Sequence, residues 1–123
     1  MRILVTGSES FIGKTLISQL QTTGHEIIGF DSLEPTNPTY EFHQIDIRNP
    51  EINKLIPRNT DVLIHLAALS RDSDCKNKAI ECFDVNVMGT LNLIKAAQLQ
   101  KVKQFIFASS EWVYDKFIDS EEK

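Results

Sequence analysis

The first 31 residues constrain the fold more than any other part of the chain. An apolar run, Ile3–Val5, leads into a turn that contains Gly7, and apolar residues then recur at spacings of three and four from Phe11 onward. A second apolar run ends at Asp31. These periodicities predict a strand, a helix and a strand. A glycine turn between the first strand and the helix, with a carboxylate after the second strand, is typical of dinucleotide-binding domains.

The chemistry of such a turn explains why it binds a dinucleotide. The first N–H groups of a helix have no acceptor within the helix and carry partial positive charge, so they bind a pyrophosphate. Gly7 and Gly13 let the backbone turn and approach the phosphates, although both could be purely structural glycines. Asp31 can accept hydrogen bonds from both ribose hydroxyls, and its charge would repel the extra phosphate of NADP. Unless Asp31 only ends a strand, NAD is the predicted cofactor, in preference to NADP.

The rest of the chain continues the alternation of strands and helices. Apolar runs at 42–47, 62–67 and 104–108 predict three more strands, Asn49-Pro50 predicts the start of a short helix ended by Pro57, and 77–101 has a long helical pattern. The near-continuous apolar run at 62–67 is typical of a strand buried on both faces. We therefore predict an α/β, Rossmann-like, doubly wound parallel sheet of about five strands in the order 3-2-1-4-5, forming one domain over residues 1–123. Ligands of such sheets bind at the carboxyl ends of the strands.

Composition excludes several classes of function. The chain is 41% hydrophobic and 24% charged, as in ordinary soluble proteins, and its net charge of -4 argues against a nucleic-acid partner. No signal peptide and no apolar run of the roughly 20 residues that cross a membrane is present, so we expect a cytoplasmic protein without a membrane partner. Cys75 and Cys82 form no zinc pattern with His25, His43 and His65. We expect no metal site and two free thiols.

Six segments, in order, carry a resemblance to a known family. They are VTGSESFIG at 5–13, GHEIIGFD at 24–31, Asp46-Ile47, HLAA at 65–68, NVMGTLNL at 86–93 and FASSEWVY at 107–114. With these segments the chain resembles the N-terminal, cofactor-binding half of extended short-chain dehydrogenases/reductases, in the NAD-dependent epimerase/dehydratase group that acts on nucleotide sugars. The resemblance implies that a nucleotide-sugar substrate is bound only in a full-length protein.

The resemblance implies contacts along the whole cofactor. Around the pyrophosphate it places Gly7, Phe11, Ile12 and Gly13, with Ser10 at the closest approach. It places Asp31 at the adenosine ribose and Asp46 with Ile47 at the adenine, although Asp46 could instead cap the turn before Pro50. At the nicotinamide side it places Leu66, Ala67, Ala68 and Asn86.

Ser110 matches the catalytic serine of the family, whose hydroxyl hydrogen-bonds the substrate oxygen that is oxidised. Serines are also common at strand ends, so a structural role is the alternative. His65, within an apolar strand, is expected to be a hydrogen-bonded core histidine, and Glu9 is expected to point to solvent.

Ser10 is the first departure from the family pattern, which usually has glycine at that position. If the backbone there needs a positive φ, serine would cost about 1 kcal/mol or more. The cofactor affinity would then suffer, unless the serine hydroxyl itself donates to a phosphate.

The second departure concerns the acid–base pair. The family has a Tyr-x-x-x-Lys motif after the serine, in which the lysine lowers the tyrosine pKa so that the phenolate accepts a proton. Here Tyr40 and Tyr114 are followed at that spacing by Gln44 and Ile118. We therefore expect a chain that is truncated relative to the family, without the C-terminal substrate domain, and inactive alone.

Two other functions remain open from the sequence. The chain could be a stand-alone dinucleotide-binding module without catalysis, or a fragment of an NADP-dependent steroid- or flavonoid-type reductase. The resemblance implies pairing through the long helix together with a further helix that is missing here, so the apolar stripe from Ile80 to Ile94 is expected to be exposed and to drive self-association, with a homodimer through 77–101.

Overall fold

The computed structural model describes residues 1–114, without the side chains of Glu111 and Trp112. Its strands are β1 (Arg2–Thr6), β2 (Glu26–Asp31), β3 (Glu41–Gln44), β4 (Val62–His65) and β5 (Gln104–Phe107). Its α-helices are α1 (Phe11–Thr22), α2 (Asp72–Cys75), α3 (Ala79–Phe83) and α4 (Thr90–Leu99). A π-helical segment, Asp84–Gly89, joins α3 to α4, and 3-10 helices occupy Pro50–Lys54 and Glu111–Tyr114.

All five strands are parallel and lie in the order β3-β2-β1-β4-β5, as predicted. In the register of the sheet, Val5 of β1 lies between Gly29 of β2 and Ile64 of β4. Strands β3, β4 and β5 are shorter than the apolar runs that predicted them. In particular β3 ends at Gln44, because the chain then turns and the Asn49 N–H donates to the Asp46 carbonyl at 2.9 Å.

Side chains of β1 alternate between the two faces of the sheet and are buried on both. On one face Leu4 belongs to the larger core cluster, which is formed by Leu4, Ile28, Phe30, Ile47, Ile52, Ile56, Leu63, Leu93, Ala96 and Ala97. On the other face Ile3 and Val5 pack with Ile17 of α1. In β4, Leu63 belongs to the larger cluster and Val62 to the other, which confirms the interpretation of a strand buried on both faces.

The predicted long helix is a chain of three helical segments that begins at Ala79 and ends at Leu99. Ile80, Phe83, Val87 and Leu91, expected on one face, are 88%, 59%, 40% and 54% exposed. This exposure agrees with the expected stripe, and the residues of α4 that pack in the core are Leu93, Ala96 and Ala97. The wider π-helical turn rotates the side chains that follow it relative to those of α3.

Helix ends follow the predicted capping residues. Gly24 has a φ of +78° directly after the C-cap of α1, as expected of a glycine that ends a helix. The Asn49 side chain accepts a hydrogen bond from the Glu51 N–H at 2.9 Å and caps the helix that begins at Pro50. This helix is 3-10 and ends at Lys54, before Pro57.

The expectation of free thiols is wrong, because Cys75 and Cys82 form a disulfide with a Cα–Cα distance of 5.3 Å. Asn77 lies between α2 and α3 with a φ of 61°. This left-handed residue reverses the chain and brings the two cysteines together, which their spacing in the sequence does not reveal. Within residues 1–114, no helix has the length and apolar character needed to cross a membrane.

Candidate functional site

A cavity of about 350 Å³ opens at the carboxyl ends of β1, β2 and β4. Eight residues predicted to contact the cofactor line it: Gly7, Ser10, Asp31, Asp46, Ile47, Leu66, Ala67 and Ala68. These residues come from four separate stretches of the chain, and the parallel sheet brings their ends to one edge.

Gly7 and Gly13 shape the cavity through close backbone contacts. Gly7 has a φ of +71°, and a Cβ there would lie 2.8 Å from the Ala67 N atom. A Cβ at Gly13 would overlap the carbonyl oxygen of Gly7. The first glycine lets β1 turn beside the end of β4, and the second lets α1 pack against that turn.

Ser10 is the N-cap of α1, and the strain foreseen for it is absent because its φ is -69°. Its hydroxyl donates to the Gly7 carbonyl at 2.7 Å and accepts from the Gly13 N–H at 3.0 Å. Serine is a favoured N-cap residue for this reason. The hydroxyl is therefore engaged within the turn, while the residue still lines the cavity.

Phe11 and Ile12 occupy the first two positions of α1, and their side chains are 90% and 64% exposed. Their backbone N–H groups have no acceptor within the helix, because the first turn of any helix lacks one. With the Gly13 N–H taken by Ser10, these two N–H groups are the donors that α1 offers to an anion.

Asp31 is held in one orientation by backbone donors. Its Oδ2 accepts from the Glu9 N–H and its Oδ1 from the Leu33 N–H, both at 2.9 Å. The carboxylate is half-buried at the end of β2, beside the glycine turn. It keeps free lone pairs, because a carboxylate has about four acceptor positions.

Glu9 does not point to solvent, and that prediction is wrong. Its side chain is only 10% exposed, accepts from the Tyr40 hydroxyl at 2.6 Å and forms an ion pair with Lys14 at 3.3 Å. Burial, followed by the bond to Glu9, raises the Tyr40 pKa to about 12. Tyr40 is therefore a structural phenol beside the turn, and its proton is not readily available for acid–base chemistry.

Asp46 is bound by Arg48, a residue that sequence reasoning missed. The Arg48 guanidinium donates to Oδ2 of Asp46 at 2.7 Å and to Oδ2 of Asp84 at 3.1 Å. The guanidinium holds the Asp46 pKa below its ordinary value. The Arg48 N–H also donates to Asp46 Oδ1 at 2.8 Å, so Asp46 does organise its local turn, and Ile47 beside it is buried.

Leu66, Ala67 and Ala68 continue from β4 along the opposite side of the cavity. The Leu66 N–H donates to the Thr6 carbonyl at 3.1 Å, and the Ala67 N–H donates to Thr6 Oγ1 at 3.3 Å. Thr6 Oγ1 lies 2.7 Å from His65 Nδ1. Backbone and side chain of Thr6 therefore fix where this segment leaves the sheet.

His65 is a hydrogen-bonded core histidine, as predicted, and is 2% exposed. Its Nε2 lies 2.8 Å from Thr90 Oγ1, which itself donates to the Asn86 carbonyl at 2.7 Å. Thr90 Oγ1 has already donated its proton, so we assign the proton of the neutral ring to Nε2, and Nδ1 then accepts from Thr6. Burial lowers the His65 pKa to about 4, which keeps the ring neutral near pH 7.

Asn86 acts on the cavity through Leu69. Its Oδ1 accepts from the Leu69 N–H at 2.8 Å, and its Nδ2 donates to the Leu69 carbonyl at 3.0 Å. Leu69 lines the cavity, so this pair of bonds holds part of its rim. Direct contact between Asn86 and a cofactor stays a prediction.

Ser110 is exposed and follows the end of β5. The Ala108 N–H donates to the His65 carbonyl at 3.2 Å, so the chain before Ser110 runs beside the end of β4. Ser110 thus lies at the same edge of the sheet as the cavity but is not among the residues that line it. Its catalytic role stays a prediction. Among residues 1–114, no group of three or more metal-binding side chains is found.

The arrangement is suited to binding a dinucleotide. The N-terminus of α1 can bind an anion, the carboxylates of Asp31 and Asp46 can accept from hydroxyl or amino groups, and the apolar segment Leu66–Ala68 can border a ring. The Tyr40 hydroxyl, beside the glycine turn, donates to Glu9. The geometry of the described residues suits the binding and orientation of a ligand.

Comparison with known proteins agrees with this description. A sequence model of the NAD dependent epimerase/dehydratase family matches residues 3–123. A UDP-glucose 4-epimerase of Klebsiella pneumoniae is 34% identical, over 93% of this chain and 92% of that protein. A 3 beta-hydroxysteroid dehydrogenase/Delta 5-->4-isomerase of Mycobacterium tuberculosis is also 34% identical, over 91% of this chain and 32% of that protein.

Solved structures show the same fold. The UDP-glucose-4-epimerase of Stenotrophomonas maltophila, with bound NAD and formylated UDP-arabinopyranose, has a TM-score of 0.83 and 30% identity over 93% of this chain. The Thermus thermophilus UDP-glucose 4-epimerase in complex with NAD has a TM-score of 0.81 and 30% identity over 89% of this chain. The chain spans 38% of each of these two proteins. By sequence and by structure, this chain belongs to the NAD dependent epimerase/dehydratase family.

Proposed function

We propose that this chain binds NAD in the cavity at the carboxyl ends of β1, β2 and β4, and that residues 1–123 form the NAD-binding domain of a nucleotide-sugar epimerase or dehydratase. The observation that carries the proposal is the convergence on one cavity of the glycine turn, Asp31 and the segment Leu66–Ala68. Relatives of similar fold that were solved with NAD support the choice of cofactor.

When bound, NAD supplies a hydride acceptor next to the sugar. The N–H groups of Phe11 and Ile12 hold the pyrophosphate at the N-terminus of α1. Asp31, already oriented by the Glu9 and Leu33 N–H groups, accepts from the ribose hydroxyls. The same negative charge repels the extra phosphate of NADP.

The two ends of the cofactor meet different residues. Asp46 and Ile47 contact the adenine, with Arg48 fixing the Asp46 carboxylate. Leu66, Ala67 and Ala68 lie beside the nicotinamide ribose, and Asn86 reaches the cofactor either directly or through Leu69. Ser110 hydrogen-bonds the oxygen of the substrate that is oxidised.

Catalysis needs a base that this chain does not supply as a Tyr-x-x-x-Lys motif, since Gln44 and Ile118 stand at the lysine positions. Ile118 lies outside the described residues. We therefore infer that the chain alone binds NAD in the cytoplasm without turnover, and that a nucleotide sugar binds only when further chain is present.

Calorimetric titration of the chain with NAD and with NADP tests the proposal. We expect NAD to bind at least about tenfold more tightly than NADP, since a charge-assisted hydrogen bond contributes roughly 1.5–3 kcal/mol. Asp31→Asn keeps the size of the side chain and removes its charge, so it should weaken NAD binding and reduce the preference for NAD. Absence of heat with either cofactor at millimolar concentration would refute the proposal, as would an unchanged preference in the variant.

A dehydrogenase of the steroid type is the second candidate, favoured by the 34% identity to the Mycobacterium tuberculosis protein. The same titration separates a reductase that uses NADP from the first proposal, because an NADP preference contradicts the assignment of Asp31. A stand-alone module is the other alternative. It would bind NAD tightly, and it would show no turnover even when further chain is present.

We also propose that two copies of the chain pair through the exposed apolar face of α3, the π-helical segment and α4, formed by Ile80, Phe83, Val87 and Leu91. Leu91→Glu should abolish concentration-dependent association in sedimentation velocity. Leu33→Glu is the matched control. Leu33 is 65% exposed in the loop that follows β2, away from the helical face, so its replacement should leave association intact. A clean monomer of the unaltered chain at high concentration would contradict the pairing.

A further inference from the structure

The segment Ser70–Phe83 borders the proposed NAD cavity but contributes nothing to the core. The structure describes this segment in full, and none of its side chains is buried. Ser70 and Glu81 nevertheless line the cavity. A segment with so little burial opens easily unless another interaction holds it. The disulfide between Cys75 and Cys82 closes a ring across the turn of this segment.

The two sulfur atoms lie against the hydrogen bonds that fix the rim of the cavity. Cys82 Sγ is 3.5 Å from Asn86 Nδ2, which donates to the Leu69 carbonyl. The same carbonyl oxygen lies 3.6 Å from Cys75 Sγ and 4.0 Å from Cys82 Sγ. As a disulfide, the pair has no proton to donate, and Asn86 keeps the carbonyl. Reduction creates two S–H donors that compete with Asn86 for it.

We propose that Cys75 and Cys82 form a reversible thiol–disulfide site whose redox state sets the order of the cavity rim from Leu69 to Asn86. A dithiol reductant supplies a thiolate that attacks one Sγ, breaks the S–S bond and forms a mixed disulfide. The second thiol of the reductant then displaces the protein sulfur. The protein gains two electrons and two protons, and the reductant leaves as a cyclic disulfide. A disulfide in a cytoplasmic protein, as this chain is expected to be, is typically transient or redox-sensing.

The first measurement counts thiols in the whole chain. Alkylation followed by mass spectrometry should add no label after treatment with oxidised glutathione and two labels after treatment with dithiothreitol. If both cysteines are alkylated after oxidation, the proposal is overturned.

The second measurement follows the rim itself. The amide hydrogen of Leu69, bonded to Asn86, should exchange about tenfold faster in the reduced chain, and trypsin should cut faster after Lys76. Cleavage after Lys101, in the turn between α4 and β5, serves as the internal reference. In the double variant Cys75→Ser/Cys82→Ser, exchange at Leu69 and cleavage after Lys76 should be as fast as in the reduced chain, and dithiothreitol should not change either rate. Equal exchange and equal cleavage in both redox states would overturn the proposal.

An effect on NAD rests on the proposed function. We expect reduction to weaken NAD binding a few-fold in the unaltered chain and to leave the double variant unaffected. If neither redox state binds NAD, the proposed function fails, while exchange at Leu69 and cleavage at Lys76 still decide the redox inference.

Discussion

Two walls of the cavity can be compared: the glycine wall, formed by residues 7–13 with Asp31, and the β4 wall, formed by Leu66–Leu69. Backbone geometry holds the glycine wall, since Gly7 donates to the Phe30 carbonyl at 2.9 Å and Asp31 is bound by two backbone N–H groups. Hydrogen bonds of side chains from other elements hold the β4 wall. Thr6 and Thr90 bond the two ring nitrogens of His65, and Asn86 bonds the backbone of Leu69.

This difference determines how each wall can fail. The glycine wall depends on which residue types fit a few close contacts, so added atoms should damage it. The β4 wall depends on hydrogen bonds of a histidine and an amide, so changes of protonation or loss of one side chain should loosen it.

The largest effect is expected from Gly13→Ala, which attacks the glycine wall. The new Cβ overlaps the Gly7 carbonyl, and backbone on both sides prevents an easy shift. We expect a loss of about 3 kcal/mol or more in the free energy of unfolding, with loss of NAD binding. Gly24→Ala is the control, because only its φ of +78° is unfavourable and nothing lies within 4 Å of the new Cβ. It should cost about 1 kcal/mol and leave NAD affinity unchanged. Urea unfolding showing equal losses would refute the close-contact argument.

The pH dependence of stability tests the β4 wall. His65 has a pKa of about 4 in the folded chain, below its ordinary value of 6.5. Between these values the unfolded chain binds the proton and the folded chain does not, so stability falls as the pH drops from about 6.5 to about 4. We expect His65 to account for about 2 kcal/mol of that fall. In His65→Gln, which does not titrate, the fall should be smaller by this amount. The free energy of unfolding should be measured for both proteins at pH 7.5 and 4.5. An equal loss of stability between these pH values in the two proteins would contradict the assignment.

Two asparagines can separate the ends of the cofactor. Asn86→Ala removes both bonds to Leu69, whereas Asn92→Ala removes bonds from Asn92 Nδ2 to the Ile47 and Asn49 carbonyls at 2.8 and 2.9 Å. Each should cost about 1–2 kcal/mol of stability. In calorimetry, Asn86→Ala should weaken the binding of NAD but not of AMP, and Asn92→Ala should weaken the binding of both. Equal effects on AMP would mean that the β4 wall and the adenine end are not independent.

The smallest effect is expected from Ser10→Gly, which restores the residue usual in the family. Glycine is an adequate N-cap, so stability should fall by only about 0.5 kcal/mol. The change also frees the Gly13 N–H, so NAD affinity should rise by about threefold. A marked loss of NAD affinity would show that the Ser10 hydroxyl itself contacts the phosphate.

Much of the fold could be predicted because its signals are local. The apolar runs, the glycine turn, Gly24 after α1 and Asn49 before Pro50 each follow from periodicity or capping within a few residues. The strand order then follows from the right-handed crossovers of parallel sheets. The burial of His65 was also predicted, because an apolar strand surrounds it in the sequence.

Other features could not be predicted because their partners are distant in the chain. Glu9 turns inward because Tyr40 and Lys14 approach it, and Arg48 binds Asp46 together with Asp84. The disulfide joins cysteines on either side of Asn77, whose left-handed conformation the sequence pattern did not predict. A π-helical segment also divides the predicted long helix, and hydrophobic spacing alone does not show such a segment.

The sequence by itself determined the parallel α/β sheet, the glycine turn and the carboxylate at Asp31. Residue type and short spacing suffice for these, since each depends on backbone conformation or on a helix end. The tertiary structure alone decided that Ser10 is an unstrained cap, that Asn86 fixes Leu69, and that two cysteines meet beside that contact. These depend on distances between side chains far apart in the chain, which only the packing of the helices on the sheet establishes.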